Sequence, residues 1–377
     1  MTGRERLLTV LRGGLPDCVP ASPDISNMIP ARLTGKPFWQ LYLYNDPPIW
    51  EAYIAAARHF DIDSLMDGYW HLAFPNESSS GEPWQPFIVF RSPERIVTRN
   101  SYVDNGRRVW ADTVTVYYVA DPPTGGVPPE KIGLSPVPER FEPVEGVRPT
   151  DHGPNGLRRV RQLMGEQGLV GVGLIGNLVV GNEAEIYRLR DDPAHYERLA
   201  EERVATVERR FAYLMSLEEK PDFITIPGSG TLIFQSPATY RRYAFPAVKR
   251  ALELASQAGM ITHMHSCGPE ARLVKMMAEE TSLTVIDPLE IPPMGDCNLA
   301  ELKRLYGGRL VLKGNLHTTD VMLRGSADDV RAASRRAIDD AARGGRFILS
   351  TGDQCGRDTP DENLRALVET ARTHGRY

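Results

Sequence analysis

The chain has 377 residues, with 44 Lys+Arg against 49 Asp+Glu for a formal net charge of −5, and is 41% hydrophobic and 25% charged. That usage excludes a disordered, collagenous or coiled-coil chain, and the lack of a Lys/Arg cluster excludes a nucleic-acid footprint. No run approaches the roughly 18 apolar residues of a membrane span, and Met1-Thr2-Gly3-Arg4-Glu5 opens no apolar signal segment, so the expected location is the cytoplasm, with no membrane partner. The four cysteines, Cys18, Cys267, Cys297 and Cys355, are too few and scattered for a disulfide framework in a chain of this size.

The first predicted element is a helix with Thr2 as N-cap and Glu5 three residues on, a capping box, followed by Leu7, Leu8 and Leu11 on one face and Gly13-Gly14 as the stop. A short apolar run at 18–21 follows, then helical spacing from Trp50 to Phe60 and a strand-length run at 62–66. Between 88 and 119, β-branched and polar residues alternate around Asp104-Asn105-Gly106, which predicts a hairpin in a β-meander. The stretch 121–150 holds eight prolines with little periodicity and reads as a surface loop, either linker or lid.

From Leu157 onward strand-length and helical runs alternate. Apolar runs fall at 169–175, 223–226, 260–264, 283–286, 310–312 and 347–349, and helical patterns separate them, four of which carry a proline, at 193, 237, 269 or 360, in or near the first turn. With the two earlier runs this makes eight strand candidates, so the expected fold is an α/β (β/α)8 barrel, TIM-like, one domain over 1–377 with a β-meander insertion at about 86–150. An open doubly wound sheet would want a Gly-rich phosphate turn after its first strand, and Gly171-Val172-Gly173 lies inside a strand run instead.

In such a barrel chemistry belongs at the C-terminal strand ends. These carry Asp24/Asn27, Asp67/Tyr69/Trp70, Asn177, Ser229, His265/Cys267, Asp287/Glu290, Asn315/His317 and Asp353/Cys355. Alternation along the fifth strand puts His263, His265 and Cys267 on one face, and barrel closure brings Cys355 to the same mouth. A His-x-Cys pair with a remote Cys suits zinc, with an open fourth position. The same residues read equally well as small buried hydrophobes and a satisfied core histidine, while Cys18 and Cys297 read as structural. Asn177, Ser229 and Asn315 are placed to orient a substrate. Tyr69, Trp70 and the insertion either line a pocket for an aromatic or small methylated substrate or form an amphipathic flap.

The C-terminal half, with His265-Ser266-Cys267-Gly268, Gly295-Asp296, Lys313-Gly314-Asn315, Gly352-Asp353-Gln354-Cys355 and Thr359-Pro360-Asp361-Glu362-Asn363-Leu364, resembles the uroporphyrinogen decarboxylase superfamily. Within it the chain is similar to the zinc-dependent, corrinoid-linked methyltransferases, such as the methanogen enzymes that methylate coenzyme M. The resemblance implies His265, Cys267 and Cys355 as zinc ligands, and Glu290, Asp353 or a water is expected at the remaining position. It implies methyl transfer between a corrinoid and a small thiol or a methylated or methoxylated compound. The cobalamin would come free or on a partner corrinoid protein, because the chain has no Asp-x-His-x-x-Gly corrinoid motif. Where the decarboxylases carry an arginine-rich segment after the first strand, this chain reads Ser22-Pro23-Asp24-Ile25-Ser26-Asn27-Met28. The alternatives are metal-free decarboxylation, with Asp67 near the place of the decarboxylases' catalytic aspartate, and a non-catalytic partner of a corrinoid protein.

Overall fold

The computed structural model describes residues 1–75, 77 and 84–377. In chain order its strands are β1 (Ser64–Met66), β2 (Gln85–Arg91), β3 (Arg95–Asp104), β4 (Arg107–Tyr118), β5 (Thr124–Val127), β6 (Glu142–Pro143), β7 (Gly168–Gly173), β8 (Phe223–Ile226), β9 (Ile261–His265), β10 (Val285–Asp287), β11 (Val311–Leu316) and β12 (Phe347–Thr351). The chain divides into two compact units, one of residues 1–26, 57–74 and 152–377, the other of 27–56 and 75–151.

The first unit holds seven parallel strands in the order β1-β7-β8-β9-β10-β11-β12 with helices in the connections, the TIM-like α/β arrangement that the alternating runs predict. The eighth candidate, near Val19, makes a single parallel bridge, Ala21 with Leu349. Leu349 donates to the Pro20 carbonyl, Ser22 N–H donates to Leu349 and Asp63 N–H donates to Ala21, so residues 20–22 join the two edges of the sheet. Pro20 cannot donate to a ladder, which keeps this segment short.

Period two along the strands sorts the interior into layers. Leu65, Leu169, Phe223, Val285, Val311 and Ile348 form the lowest, an apolar cluster closed by Leu7, Val10 and Leu11 of the helix Gly3–Leu11. That helix starts as its sequence predicts: Thr2 accepts from Glu5 N–H, and Glu5 accepts from Thr2 N–H. Each such side chain contributes about 1.5–3 kcal/mol on leaving water. Two residues further along, the same strands carry Asp67, Gly171, Thr225, His263, Asp287, Lys313 and Ser350, so the interior turns polar toward the C-terminal ends.

The second unit is built on a five-stranded antiparallel sheet, order β5-β4-β3-β2-β6. The predicted hairpin joins β3 to β4, with Asn105 at φ 46° and Gly106 at φ 80°, the pair of positive angles that an Asn-Gly turn supplies at low cost. Val97, Val114 and Val116 form its core. The unit takes in the 86–150 stretch and also residues 27–56. The Pro-rich stretch expected as a loop adds the two edge strands: β5 pairs with β4, and β6 with β2. Edge positions tolerate proline because one side of the strand needs no donor. Among the described residues no helix is long and apolar enough to cross a membrane.

Candidate metal and active centre

The polar layer is an alternation of charge. Asp67 lies 3.4 Å from His263 Nδ1 and accepts from Thr225 Oγ1 at 3.1 Å. His263 Nε2 lies 3.1 Å from Asp287 Oδ1, and Lys313 pairs with Asp287 Oδ2. All but Asp67 are buried. Burial opposes every one of these charges, and the partners overcome it. Asp287 is held well below the usual carboxylate range against its burial by Lys313, His263 and His265. His263 is pushed up to about 9: burial lowers it, but Asp287 and Asp67 outweigh that. Lys313 is raised in the same way by Asp287 and Asp24, again against burial.

Above this layer His265 Nδ1 lies 3.0 Å from Asp287 Oδ1, because β9 and β10 are in register with Asp287 opposite His265. Its Nε2 is directed to the other side, 3.7 Å from Asp353 Oδ1. Burial depresses the His265 pKa, yet Asp287 raises it well above the ordinary histidine value.

Cys267, Glu290 and Asp353 bring one ligand atom each within 4.8 Å of the others. Gly268 N–H donates to Glu290 Oε2, which fixes this carboxylate beside the Cys267 loop. Burial raises the Glu290 pKa, with that N–H opposing. Asp353 sits at φ 120°, a conformation that side-chain-bearing residues rarely adopt and that concentrates at functional sites. A thiol, an imidazole with its far nitrogen braced by a carboxylate, and two carboxylates make a donor set that suits zinc.

Of the residues singled out from sequence, His265, Cys267, Glu290 and Asp353 meet here. Ser229 pairs with Cys267 through a parallel bridge. Asn315 donates to the Leu289 carbonyl at 3.0 Å and lines a narrow cleft with Glu290 and Gly352. Asn177 is fully buried and donates to Thr231 Oγ1, which also accepts from Ser266, so it braces the Cys267 loop from behind. Asp67 stands in the layer below, beside His263 and Thr225. Trp70 is buried with its ring against His152, whose ring stacks on His71, and Tyr69 beside it is half-buried.

Cys355 stands outside the Cys267 group. It is fully buried, its N–H donates to the Asp24 carbonyl, and burial pushes its thiol up to about 12. Cys18 and Cys297 are buried free thiols. The sequence reading placed Asp287 at a strand end without giving it a role and missed Lys313 as a site group, although both stand two residues beyond an apolar layer position.

Residues 197–374 match the family model "Uroporphyrinogen decarboxylase (URO-D)". A methylcobamide:CoM methyltransferase, MtbA, of Methanosarcina mazei is 26% identical over 137 residues, 36% of this chain and 37% of the relative. A second, MtaA, of Methanosarcina barkeri is 29% identical over 135 residues, 35% of this chain and 36% of the relative. The chain thus spans little more than a third of these relatives in the matched stretch. A solved methyltransferase from Methanosarcina mazei superposes with a TM-score of 0.58 at 17% identity over 98% of both chains, and so shares the fold. Residues 197–374 thus resemble the uroporphyrinogen decarboxylase family, and about a third of the chain is similar to methylcobamide:CoM methyltransferases.

Proposed function

We propose that this protein moves a methyl group between a corrinoid carrier and a small thiol, or a methylated or methoxylated compound, with zinc bound at the C-terminal end of the strands. The observation that carries the reading is the convergence of Cys267, Glu290 and Asp353 beside His265 Nε2, in a chain whose relatives are methylcobamide:CoM methyltransferases. His265 and Cys267 would hold the metal, with Glu290 and Asp353 as the nearest further donors and Cys355 as the remote thiol that the family resemblance adds. Bound zinc would keep a substrate thiol ionised and nucleophilic near neutral pH.

The chain's own residues prepare that step. Asp287 orients His265 so that Nε2 is the free nitrogen, and Lys313 holds Asp287 in place. Ser229, Asn177 and Asn315 would position the substrate or the loops around it. The corrinoid would come free or on a separate corrinoid protein. The decarboxylase alternative wants unpaired cations for a polycarboxylate, and here Lys313 and His263 are committed to Asp287 and Asp67.

The test combines metal analysis with a methyl-transfer assay. The purified protein should hold about one zinc per chain, lose it in Cys267→Ser, and convert methylcob(III)alamin plus a small thiol to the methyl thioether, cob(I)alamin and a proton. Zinc kept in Cys355→Ser assigns the site to His265, Cys267 and the carboxylates; zinc lost there assigns it to His265, Cys267 and Cys355. Full activity in metal-free protein, or release of CO₂ from a carboxylated tetrapyrrole with no methyl transfer, would overturn the reading.

A further inference from the structure

His317 lies just past the end of β11. Its Nδ1 accepts two backbone hydrogen bonds, from Thr319 N–H at 3.2 Å and Asp320 N–H at 3.0 Å, and so caps the wide helical turn Thr318–Leu323. A nitrogen that accepts cannot carry the proton, so the ring is the neutral tautomer with its hydrogen on Nε2. That Nε2 is buried and has no hydrogen-bond partner; the nearest carboxylate, Asp320, is 4.0 Å away, beyond bonding reach. The ring lines the narrow cleft that Glu290, Asn315, Met294 and Gly352 also line, next to Asp353.

An unpaired buried donor is costly and is rarely left in a native site without a partner to come. We propose that His317 Nε2–H is the donor that receives an oxygen acceptor of the small substrate, the group at the far end from the atom that is methylated. This rests on the methyl-transfer reading of the same site. The donor is fixed because turning the ring over would break the cap. The cleft is far too narrow for a corrinoid ring. A site built to bond an oxygen discriminates against the isostere that lacks it, because the donor is then left unpaired.

The test uses zinc-loaded protein labelled with ¹⁵N-histidine and two isosteric thiols, 2-mercaptoethanol and 1-propanethiol. In the free protein the His317 signals should show Nδ1 unprotonated and Nε2 protonated; a protonated Nδ1 overturns the proposal. 2-Mercaptoethanol should bind about ten-fold or more tighter than 1-propanethiol and shift the His317 Nε2 signal. His317→Asn keeps a capping oxygen but is too short to reach the cleft, so it should fold normally and bring the two affinities within about two-fold of each other. An unchanged preference in a folded His317→Asn protein, or equal binding of both thiols by the wild type, also overturns it. If the preference and the shift are found but no methyl leaves methylcobalamin, His317 keeps its assigned role and the methyl-transfer reading fails.

Discussion

His265 Nδ1 and Asp287 Oδ1 lie 3.0 Å apart on neighbouring parallel strands, and the same carboxylate takes Lys313 on its other oxygen. One aspartate therefore decides which nitrogen of His265 faces Cys267 and Asp353. Replacing it by Asn removes the charge and leaves Lys313 buried against a neutral amide. Zinc affinity, measured by chelator competition, should fall about 10- to 100-fold in Asp287→Asn with the fold retained. Affinity within two-fold of wild type would show that another group orients the ring.

Metal binding needs Cys267 as thiolate and His265 Nε2 unprotonated, so zinc and protons compete for the same atoms. Asp287 raises the His265 pKa, which favours the proton and moves the competition to higher pH than for an isolated histidine. Dialysis across a pH series should find zinc retained at high pH and lost on acidification, with methyl transfer falling in parallel. Activity that disappears while zinc stays fully bound would assign the titration elsewhere, with Asp67 and Glu290 the nearest groups to examine.

Asp353 holds φ at 120° and supplies a carboxylate to the Cys267 group. Strain of this kind costs of order 1–3 kcal/mol, and glycine relieves it while losing some of the gain to unfolded-chain entropy. Metal-free Asp353→Gly should be more stable than the wild type by about 1 kcal/mol in denaturant unfolding and should bind zinc more weakly. A destabilised Asp353→Gly would remove the argument that the conformation is kept for the site.

Gly171 occupies a position in the polar layer where a Cβ would lie 2.2 Å from the Phe223 ring, and Phe223 is fully buried. Gly171→Ala should cost about 1–3 kcal/mol. In a Phe223→Leu background that cost should shrink, because the edge of the ring is what the methyl group meets. Equal costs in both backgrounds would mean that backbone strain, not the ring, resists the side chain.

Asp222 is nearly buried and accepts from Arg4, Arg161 and the Val170 N–H. Burial raises its pKa, but these partners, led by Arg4, bring it below the ordinary value. A carboxylate with a depressed folded pKa stabilises above the unfolded pKa of about 4, and the contribution is lost as pH falls through the folded pKa. Asp222→Asn should thus be less stable than wild type by about 1–3 kcal/mol at pH 7. The gap should narrow below pH 4; a gap independent of pH would point to lost packing instead.

Local rules carried the sequence reading a long way. The capping box at Thr2 and Glu5, the Asn105-Gly106 hairpin, the alternation of strand and helix after Leu157 and the pairing of His265 with Cys267 depend only on residues a few positions apart. Tertiary structure decided the rest. Period two says that His263, His265, Asp287 and Lys313 face inward, but only the register of β9, β10 and β11 sets Asp287 between both imidazoles and the ammonium. Only the path of the loops after the strands brings Glu290 and Asp353 to Cys267. The strand near Val19 shrank to one bridge, and the Pro-rich stretch became two edge strands, because hydrogen-bond partners come from chain segments that no local pattern names. Electrostatic partners in a barrel are set by which strands lie side by side, and that is a property of closure, not of spacing.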